Sequence, residues 1–206
     1  MKFVKQSVEI MGCGGLPIDG KAMLKHIELC GRVCYKSEDK ITDDSAERFV
    51  SKIIKSGHES VLEHASITVR FVCDRGVSHE IVRHRIASYS MESTRYCDYS
   101  KDKFGGEISV IEPVGCVDEL ALLKSSCSYA ETIYQHMIST GVSPQMARAV
   151  LPTCLKTELI MTANLREWRH FLRLRTSDAA HPQIRALAVE LRDKLREAVP
   201  AVFDDI

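Results

Sequence analysis

The sequence lacks a net charge, long apolar runs and abundant aromatic side chains. Its 206 residues balance 28 Lys and Arg against 28 Asp and Glu, and only 6% are aromatic. A protein that coats nucleic acid or an anionic membrane through bulk charge needs a positive excess. No apolar run approaches the roughly eighteen residues of a membrane span, and the opening residues alternate like a strand rather than a signal peptide. We therefore expect neither nucleic acid nor a membrane as a partner.

Paired cysteine motifs are also missing. The eight cysteines include no Cys-x-x-Cys pair, which is typical of reduced thiols in a cytoplasmic protein. His26, Cys30 and Cys34 recur every four residues, so they would share one face of a predicted helix. A metal site there needs a fourth ligand, whereas free cysteine is commonly buried. We favour a buried face and predict no metal site.

Hydrophobic periodicity predicts an α+β protein: one helix-rich domain spanning residues 1–206, with a small central sheet and no Rossmann fold. The sequence contains no internal repeat and no Gly-x-Gly-x-x-Gly fingerprint. Strands are predicted at 2–10, 66–73, 107–111 and 155–163. Helices are predicted at 20–36, from the cap region 42–45 to Gly57, and at 77–86, 118–140, 144–151, 165–176 and 183–198.

Residues 83–96 carry the densest chemistry in the sequence. They hold three Arg, one His and six hydroxyl groups. Three cations packed this closely repel one another unless an anion lies among them, and Arg with Ser or Thr hydroxyls suits phosphate. The alternative is a solvated helix end followed by a polar loop, and composition does not choose between the two. A zinc-protease helix is excluded, because His79 and His84 are five residues apart rather than four.

The helix predicted after Asn164 has one apolar side and one basic side. Arg175 falls among the apolar positions, where a cation is costly unless it is paired or contacts a ligand. A structural ion pair and a positioned catalytic cation both remain open for Arg175. The apolar side comprises Leu165, Trp168, Phe171 and Leu172, and the basic side comprises Arg166, Arg169, His170 and Arg173.

A further cluster of titratable residues precedes the predicted strand at 66–73. The run Gly-His-Glu-Ser-x-x-Glu-His at 57–64 places two His and two Glu close together. It is either a helix cap region with polar neighbours or the rim of a site, and spacing alone leaves both open.

Taken in order, these segments resemble the flavin-dependent thymidylate synthase family. The family signature is present as Arg83-His84-Arg85-x-x-Ser88-x-Ser90-x-x-Ser93-x-Arg95. The run at 57–64, Arg148 before Leu-Pro, and Asn164-x-Arg166 through Arg175 also match family positions, so the similarity spans nearly the whole chain. Three positions depart from the usual pattern: Ser90 replaces Asn, Met91 replaces Glu or Gln, and His170 replaces Asn.

The resemblance implies a homotetramer that binds FAD at its subunit interfaces. It implies methylation of dUMP to dTMP, with methylenetetrahydrofolate as carbon donor and NADPH as the reductant of the flavin. Arg175 would be the catalytic residue, because a cation beside the pyrimidine stabilises the anionic ring. Ser93 would bind substrate rather than act as a nucleophile, since no activating base is evident beside it.

The resemblance also assigns residues to each ligand. The residues expected at FAD are His58, Ser60, Arg83, His84, Arg85, Met91, Asn164, Arg166 and His170, with His58 near both flavin and folate. The residues expected at dUMP are Glu80, Ile81, Val82, Arg83, Met91, Glu92, Ser93, Thr94, Arg95, Arg148 and Arg175.

The alternative is a non-catalytic nucleotide-binding or RNA-binding protein that uses the same arginine clusters. RNA-binding modules usually add exposed aromatic side chains on which bases stack. The low aromatic content and the absence of an RNP-like aromatic motif make this interpretation the weaker one.

Overall fold

The computed structural model describes residues 1–115 and 120–206. Their contacts divide into two compact units. Unit 1 comprises residues 1–7, 71–83 and 90–159, and unit 2 comprises residues 8–70, 84–89 and 160–206. Both units are assembled from separate stretches of the chain, and the expectation of a single domain stays a prediction. Within the described ranges, no helix is both long and apolar enough to cross a membrane.

The structure confirms an α+β, helix-rich chain. The strands are β1 (Lys2–Val4), β2 (Ser7–Gly12), β3 (Ser66–Asp74), β4 (Ala87–Met91), β5 (Ser109–Ile111) and β6 (Lys156–Asn164). The α-helices are α1 (Gly20–Arg32), α2 (Ser45–Lys55), α3 (Arg75–Ile81), α4 (Leu120–Ser139), α5 (Pro144–Ala147), α6 (Leu165–Arg175), α7 (Pro182–Ala198) and α8 (Pro200–Phe203). A 3-10 helix at Glu59–His64 precedes β3, and another at Arg148–Val150 follows α5.

Four strands form a sheet in the order β2-β3-β6-β4. The two middle strands, β3 and β6, alternate strictly between buried and half-buried residues. In β3 the buried positions are Ile67, Val69, Phe71 and Cys73, each with no exposed surface. This alternation is the period of two that a strand imposes on its side chains, and it explains why the prediction at 66–73 was confirmed.

The single strand predicted at 2–10 is two strands in the structure. β1 pairs in parallel with β5, Lys2 opposite Ser109, as a separate two-stranded sheet, whereas β2 joins β3. Periodicity along one segment does not show that its two ends choose different partners.

The helix predicted at 77–86 also needs correction, since α3 runs from Arg75 to Ile81. It begins early because the Asp74 carboxylate accepts a hydrogen bond from the Val77 N–H at 2.6 Å, an N-cap. The segment after it forms β4 rather than continuing as helix or polar loop. Three of the five residues of β4 are exposed, so the strand lacks the apolar alternation on which its prediction would depend.

Most other helical predictions were confirmed within a turn. α2 is followed by Gly57 at a φ of +72°, a conformation that glycine adopts without strain. Pro144 occupies the first turn of α5. The predicted start of the long helix at Asp118 lies outside the described residues, and its described part ends at Ser139.

The favoured burial of His26, Cys30 and Cys34 was wrong. His26 and Cys34 are exposed, and the Sγ of Cys30 lies 3.8 Å from Nε2 of His26. The buried face of α1 is formed by Met23, Leu24, Ile27, Glu28 and Gly31. Cys34 lies beyond the end of α1, so its direction no longer follows the helical period.

Candidate active site

Helix α6 is anchored at its start and along its apolar side. The Asn164 side chain accepts a hydrogen bond from the Glu167 N–H at 2.8 Å, and the Trp168 indole donates to the Ile67 carbonyl at 3.0 Å. Trp168, Phe171 and Leu172 have no exposed surface, as the sequence predicted. The backbone of α6 is therefore fixed, and its polar side chains project from a rigid element.

Arg169 is fully buried, although the helical period places it on the basic side, opposite the apolar residues. Its guanidinium forms two hydrogen bonds with the Asp205 carboxylate, at 2.6 and 2.7 Å, and Nε lies 3.1 Å from the Glu59 carboxylate. It also donates to the Val202 carbonyl. A buried guanidinium stays charged, so it requires such partners. Arg169 is thus a structural cation.

The carboxylates around Arg169 titrate below their ordinary range. The hydrogen bond from Arg169 holds the pKa of Asp205 down, against the effect of burial. Burial acts to raise the pKa of Glu59, but the hydrogen bond from Arg173 and the charge of Arg169 outweigh it and lower that pKa. Both carboxylates therefore stay charged at neutral pH.

Arg175 belongs to a chain of hydrogen bonds through His84. Its Nε donates to Nε2 of His84 at 3.2 Å, and Nδ1 of His84 lies 2.9 Å from the Glu167 carboxylate. Burial and the Arg175 charge lower the pKa of His84 below its ordinary value, although Glu167 acts to raise it. The Tyr89 hydroxyl donates to the carbonyl of His84. Arg175 is half-buried, so the fully buried cation of α6 is Arg169 rather than Arg175.

His84, Glu167 and His170 are also the one set within the described ranges whose ligand atoms lie close enough to hold a metal ion. Both ring nitrogens of His84 are engaged, one by Glu167 and one by Arg175. A cation bonded to a prospective ligand atom opposes metal binding at that atom. The arrangement therefore favours a hydrogen-bonded chain over a metal centre.

Beside α6 lies a cavity of about 470 Å³, here called the α6 cleft. Arg166 and Glu63 form an ion pair at 2.6 Å on its rim, and both side chains are about half exposed. Such pairs contribute little to stability, so Arg166 can exchange Glu63 for a bound anion. The lining residues are Glu59, Glu63, Ile86, Asn164, Arg166, Glu167, His170 and Arg173.

Unit 1 contains a second cavity of about 310 Å³, here called the α3 cleft. Nη1 of Arg148 lies 3.3 Å from the Thr94 hydroxyl. Arg75, the first residue of α3, also faces this cleft, and its Nη1 is buried without a hydrogen-bond partner among the described residues. The lining residues are Arg75, His79, Thr94, Arg148, Ala149, Leu151, Pro152 and Thr153.

The two clefts gather only part of the predicted ligand-binding set. Asn164, Arg166 and His170 line the α6 cleft, and Thr94 and Arg148 line the α3 cleft. Several other predicted residues are exposed and line neither of these cavities. These are His58, Ser60, Val82, Arg83, Arg85, Met91 and Arg95.

Three of the residues predicted at dUMP are buried or make contacts within the protein. Ile81 is fully buried, so its side chain is not available to a ligand. The Glu92 carboxylate accepts from the Tyr99 hydroxyl at 2.7 Å and from Lys156 at 3.2 Å, which engages it within the protein. The guanidinium carbon of Arg95 lies over the ring of Tyr96, 5.4 Å from the ring centroid.

Sequence reasoning missed Arg75 and Glu167. Arg75 lies outside the recognised motif, and a lone Arg at a helix start carries no distinguishing pattern. Glu167 was hidden among charged neighbours on α6, although its place three residues after Asn164 is the expected N3 position of a capped helix.

Comparisons with known proteins identify relatives that match most of the chain. The family model described as thymidylate synthase complementing protein matches residues 20–201. A protein of Geobacter sulfurreducens named flavin-dependent thymidylate synthase is 38% identical over 202 residues, covering 89% of this chain and 85% of the relative. One of the same name from Mycolicibacterium vanbaalenii is 36% identical over 208 residues, covering 91% and 80%.

A solved structure shares the fold. The UMP/dUMP methylase PolB from Streptomyces cacaoi, bound with 5-Br dUMP, superposes with a TM-score of 0.79 and covers 98% of this chain and 95% of that one. Its sequence identity is 21%. The similarity confirms the predicted fold class.

Replacing Arg169 tests its structural role. We expect Arg169→Met to lower the free energy of unfolding by about 3 kcal/mol, the low end for breaking a buried ion pair, because Asp205 is half-exposed. Since the carboxylate pKa values are depressed by folding, this stabilisation is present at neutral pH and is lost as pH falls below about 4. Urea unfolding at several pH values measures both effects. Arg166→Met, which breaks an exposed pair, is the matched control, and equal stability of the two variants would contradict the assignment.

Proposed function

Because the chain belongs to the thymidylate synthase complementing protein family, we propose that it is a flavin-dependent thymidylate synthase that methylates dUMP to dTMP. The observation that carries the proposal is the similarity to curated relatives of that name, at 38% identity over 89% of the chain. A structural neighbour with the same fold is bound with 5-Br dUMP, a ligand of the proposed class.

The α3 cleft is the proposed site for the phosphate of dUMP. Arg75 and Arg148 bring two guanidinium groups to its wall, and Thr94 adds a hydroxyl. No Asp or Glu appears among the described lining residues, so an anionic ligand would meet no carboxylate of the cleft wall. Guanidinium groups with a hydroxyl suit a phosphate monoester, which offers several acceptor oxygens. Arg95 and Ser93, expected at dUMP from the family resemblance, remain part of this proposal.

Arg175 is the proposed catalytic residue. A guanidinium beside the uracil ring stabilises the charge that develops when N3 loses its proton. Nε of Arg175 donates to the His84 ring at 3.2 Å, which holds the side chain in a defined position. Arg169 is fully buried and bonded to two carboxylates, so it is not available to a ligand.

We place FAD at the α6 cleft on the family resemblance. The three carboxylates of its lining are already paired within the protein, Glu59 with Arg169, Glu63 with Arg166 and Glu167 with His84. Arg166 supplies a guanidinium for the pyrophosphate and His170 an imidazole, while Asn164 stands at the cleft wall. FAD, when bound, supplies the hydride that completes the methyl group. His58, Ser60, Arg83, His84, Arg85 and Met91 are proposed to join this site on the family resemblance.

The same proposal takes methylenetetrahydrofolate as the carbon donor and NADPH as the reductant. It also includes a cytoplasmic homotetramer whose sites lie at subunit interfaces. These points rest on the family resemblance, which is supported by similarity over 85% and 80% of the length of the two relatives.

The proposed activity and the role of Arg175 are tested together. Purified protein should absorb in the blue as a flavoprotein and form dTMP from dUMP, methylenetetrahydrofolate and NADPH. Arg175→Ala should keep its flavin yet lose turnover by about 100-fold or more, as when one transition-state donor is removed. Arg192→Ala, on α7 beside Asp193, is the matched control. Full turnover in Arg175→Ala would refute the role, and a colourless protein that fails to take up FAD would leave only a non-catalytic nucleotide binder.

The phosphate site is tested by variants of the α3 cleft. We expect Arg75→Met and Arg148→Met each to raise the dissociation constant for dUMP by about 10- to 100-fold, the loss of one charge-assisted hydrogen bond. Binding of deoxyuridine, which lacks the phosphate, should stay unchanged. Calorimetric titration measures both ligands, with Lys101→Met as an exposed control. Equal losses for dUMP and deoxyuridine would place the phosphate elsewhere.

A further inference from the structure

Glu167 is nearly buried on the rigid helix α6, and both its backbone and its side chain are held. Its N–H donates to Asn164, and its carboxylate lies 2.9 Å from Nδ1 of His84. Only 8% of its surface is exposed. The sequence and the family resemblance assign it no role, yet a chain of two hydrogen bonds through His84 connects it to Arg175.

The two hydrogen bonds of His84 fix the position of its proton. Nε of an arginine carries a hydrogen and can only donate, so Nε2 of His84 must be the acceptor. The ring proton of neutral His84 therefore lies on Nδ1 and points at Glu167. The chain runs in one direction, from Arg175 through His84 to the Glu167 carboxylate.

Without an acceptor at position 167, this direction is no longer specified. The ring is then free to carry its proton on Nε2, which would set two donors, Nε2–H and the Nε–H of Arg175, against each other. The hydrogen bond that His84 accepts from Nε of Arg175 would be lost. Glu167 thus contributes to the orientation of Arg175 through the His84 ring.

We propose that Glu167 is a positioning residue of the methylation reaction: it keeps the proton of His84 on Nδ1, so that Nε2 accepts the hydrogen bond that orients Arg175. The inference rests on the proposed function, because only that function gives Arg175 a catalytic role. Glu167 acts through His84 and does not itself take part in the chemistry.

The surroundings of His84 set the expected pH dependence. Three charged or titratable residues of α6 face its ring: Glu167, His170 and Arg175. The Phe171 ring, also on α6, packs on it with the two ring centroids 4.9 Å apart, and the Tyr89 hydroxyl of β4 donates to the His84 carbonyl. Protonation turns Nε2 into a donor and breaks the bond to Arg175, so activity should fall on the acid side. Because Glu167 acts to raise the pKa of His84, removing its charge should move this acid limb to lower pH.

The test compares Glu167→Gln with Glu167→Leu in flavin-loaded protein. Gln retains an oxygen that can accept from Nδ1–H, so it should keep most of kcat while its acid limb moves to lower pH. Leu offers no acceptor, so kcat at saturating dUMP should fall by about 10-fold or more. Glu190→Leu, which removes an exposed carboxylate on α7 paired with Lys194, is the matched control.

Nitrogen NMR of histidine-labelled protein reads the tautomer without any turnover. His84 should be protonated on Nδ1 in the wild type and in Glu167→Gln, and should shift toward Nε2–H in Glu167→Leu. Wild-type activity with equal kcat in Glu167→Leu and Glu190→Leu would overturn the proposal, as would an unchanged tautomer in Glu167→Leu.

Two further outcomes remain decisive. If the wild type forms no dTMP, the proposed function fails, and the NMR comparison alone decides whether Glu167 sets the tautomer. If Glu167→Leu does not fold, Glu167→Gln decides: an acid limb at lower pH with kcat retained supports the proposal, and an unshifted limb overturns it.

Discussion

Arg169 lies in α6 without any exposed surface, and its guanidinium cannot shed its charge there. Two carboxylates, from Asp205 near the chain end and from Glu59 before β3, compensate that charge. The contact ties three separate stretches of unit 2 together around one cation. Because α6 is held in this way, the neighbouring side chains Glu167 and Arg175 occupy defined positions.

Across the described part of the chain, the positive charge of Arg75 is not matched by carboxylates in the way that the charge of Arg169 is, and this difference bears on function. Nη1 of Arg75 is buried and has no hydrogen-bond partner among the described residues. An arginine matched by carboxylates contributes structure, whereas a guanidinium facing a cleft without acidic lining residues is suited to an anionic ligand. By this criterion the α3 cleft is the proposed anion site, and Arg169 is a structural cation. The zero net charge of the sequence conceals this unequal distribution.

The sequence predicted the parts of the fold that a local period determines. Strict alternation identified β3, and apolar spacing identified the buried side of α6, because both depend on residues close together in the chain. Prediction from the sequence failed where the residues that interact are far apart in the chain. Arg169 was grouped with the basic side of α6 and its burial was not predicted, because the carboxylates that allow it come from positions 59 and 205. The exposed strand β4 carries no apolar alternation. Arg75 could not be recognised as a candidate binding residue from sequence, because Arg148, which lines the same cleft, is 73 positions away.

The family resemblance supplied the functional assignment, and the structure added the hydrogen-bonded chain that holds Arg175. The most direct test of the whole account follows the carbon. Flavin-loaded protein is supplied with dUMP, NADPH and methylenetetrahydrofolate whose methylene carbon is isotopically labelled, and the product is analysed by mass spectrometry. The account predicts dTMP with the label in its methyl group. Unlabelled dTMP, or dUMP recovered unchanged from protein that has retained its flavin, would contradict it.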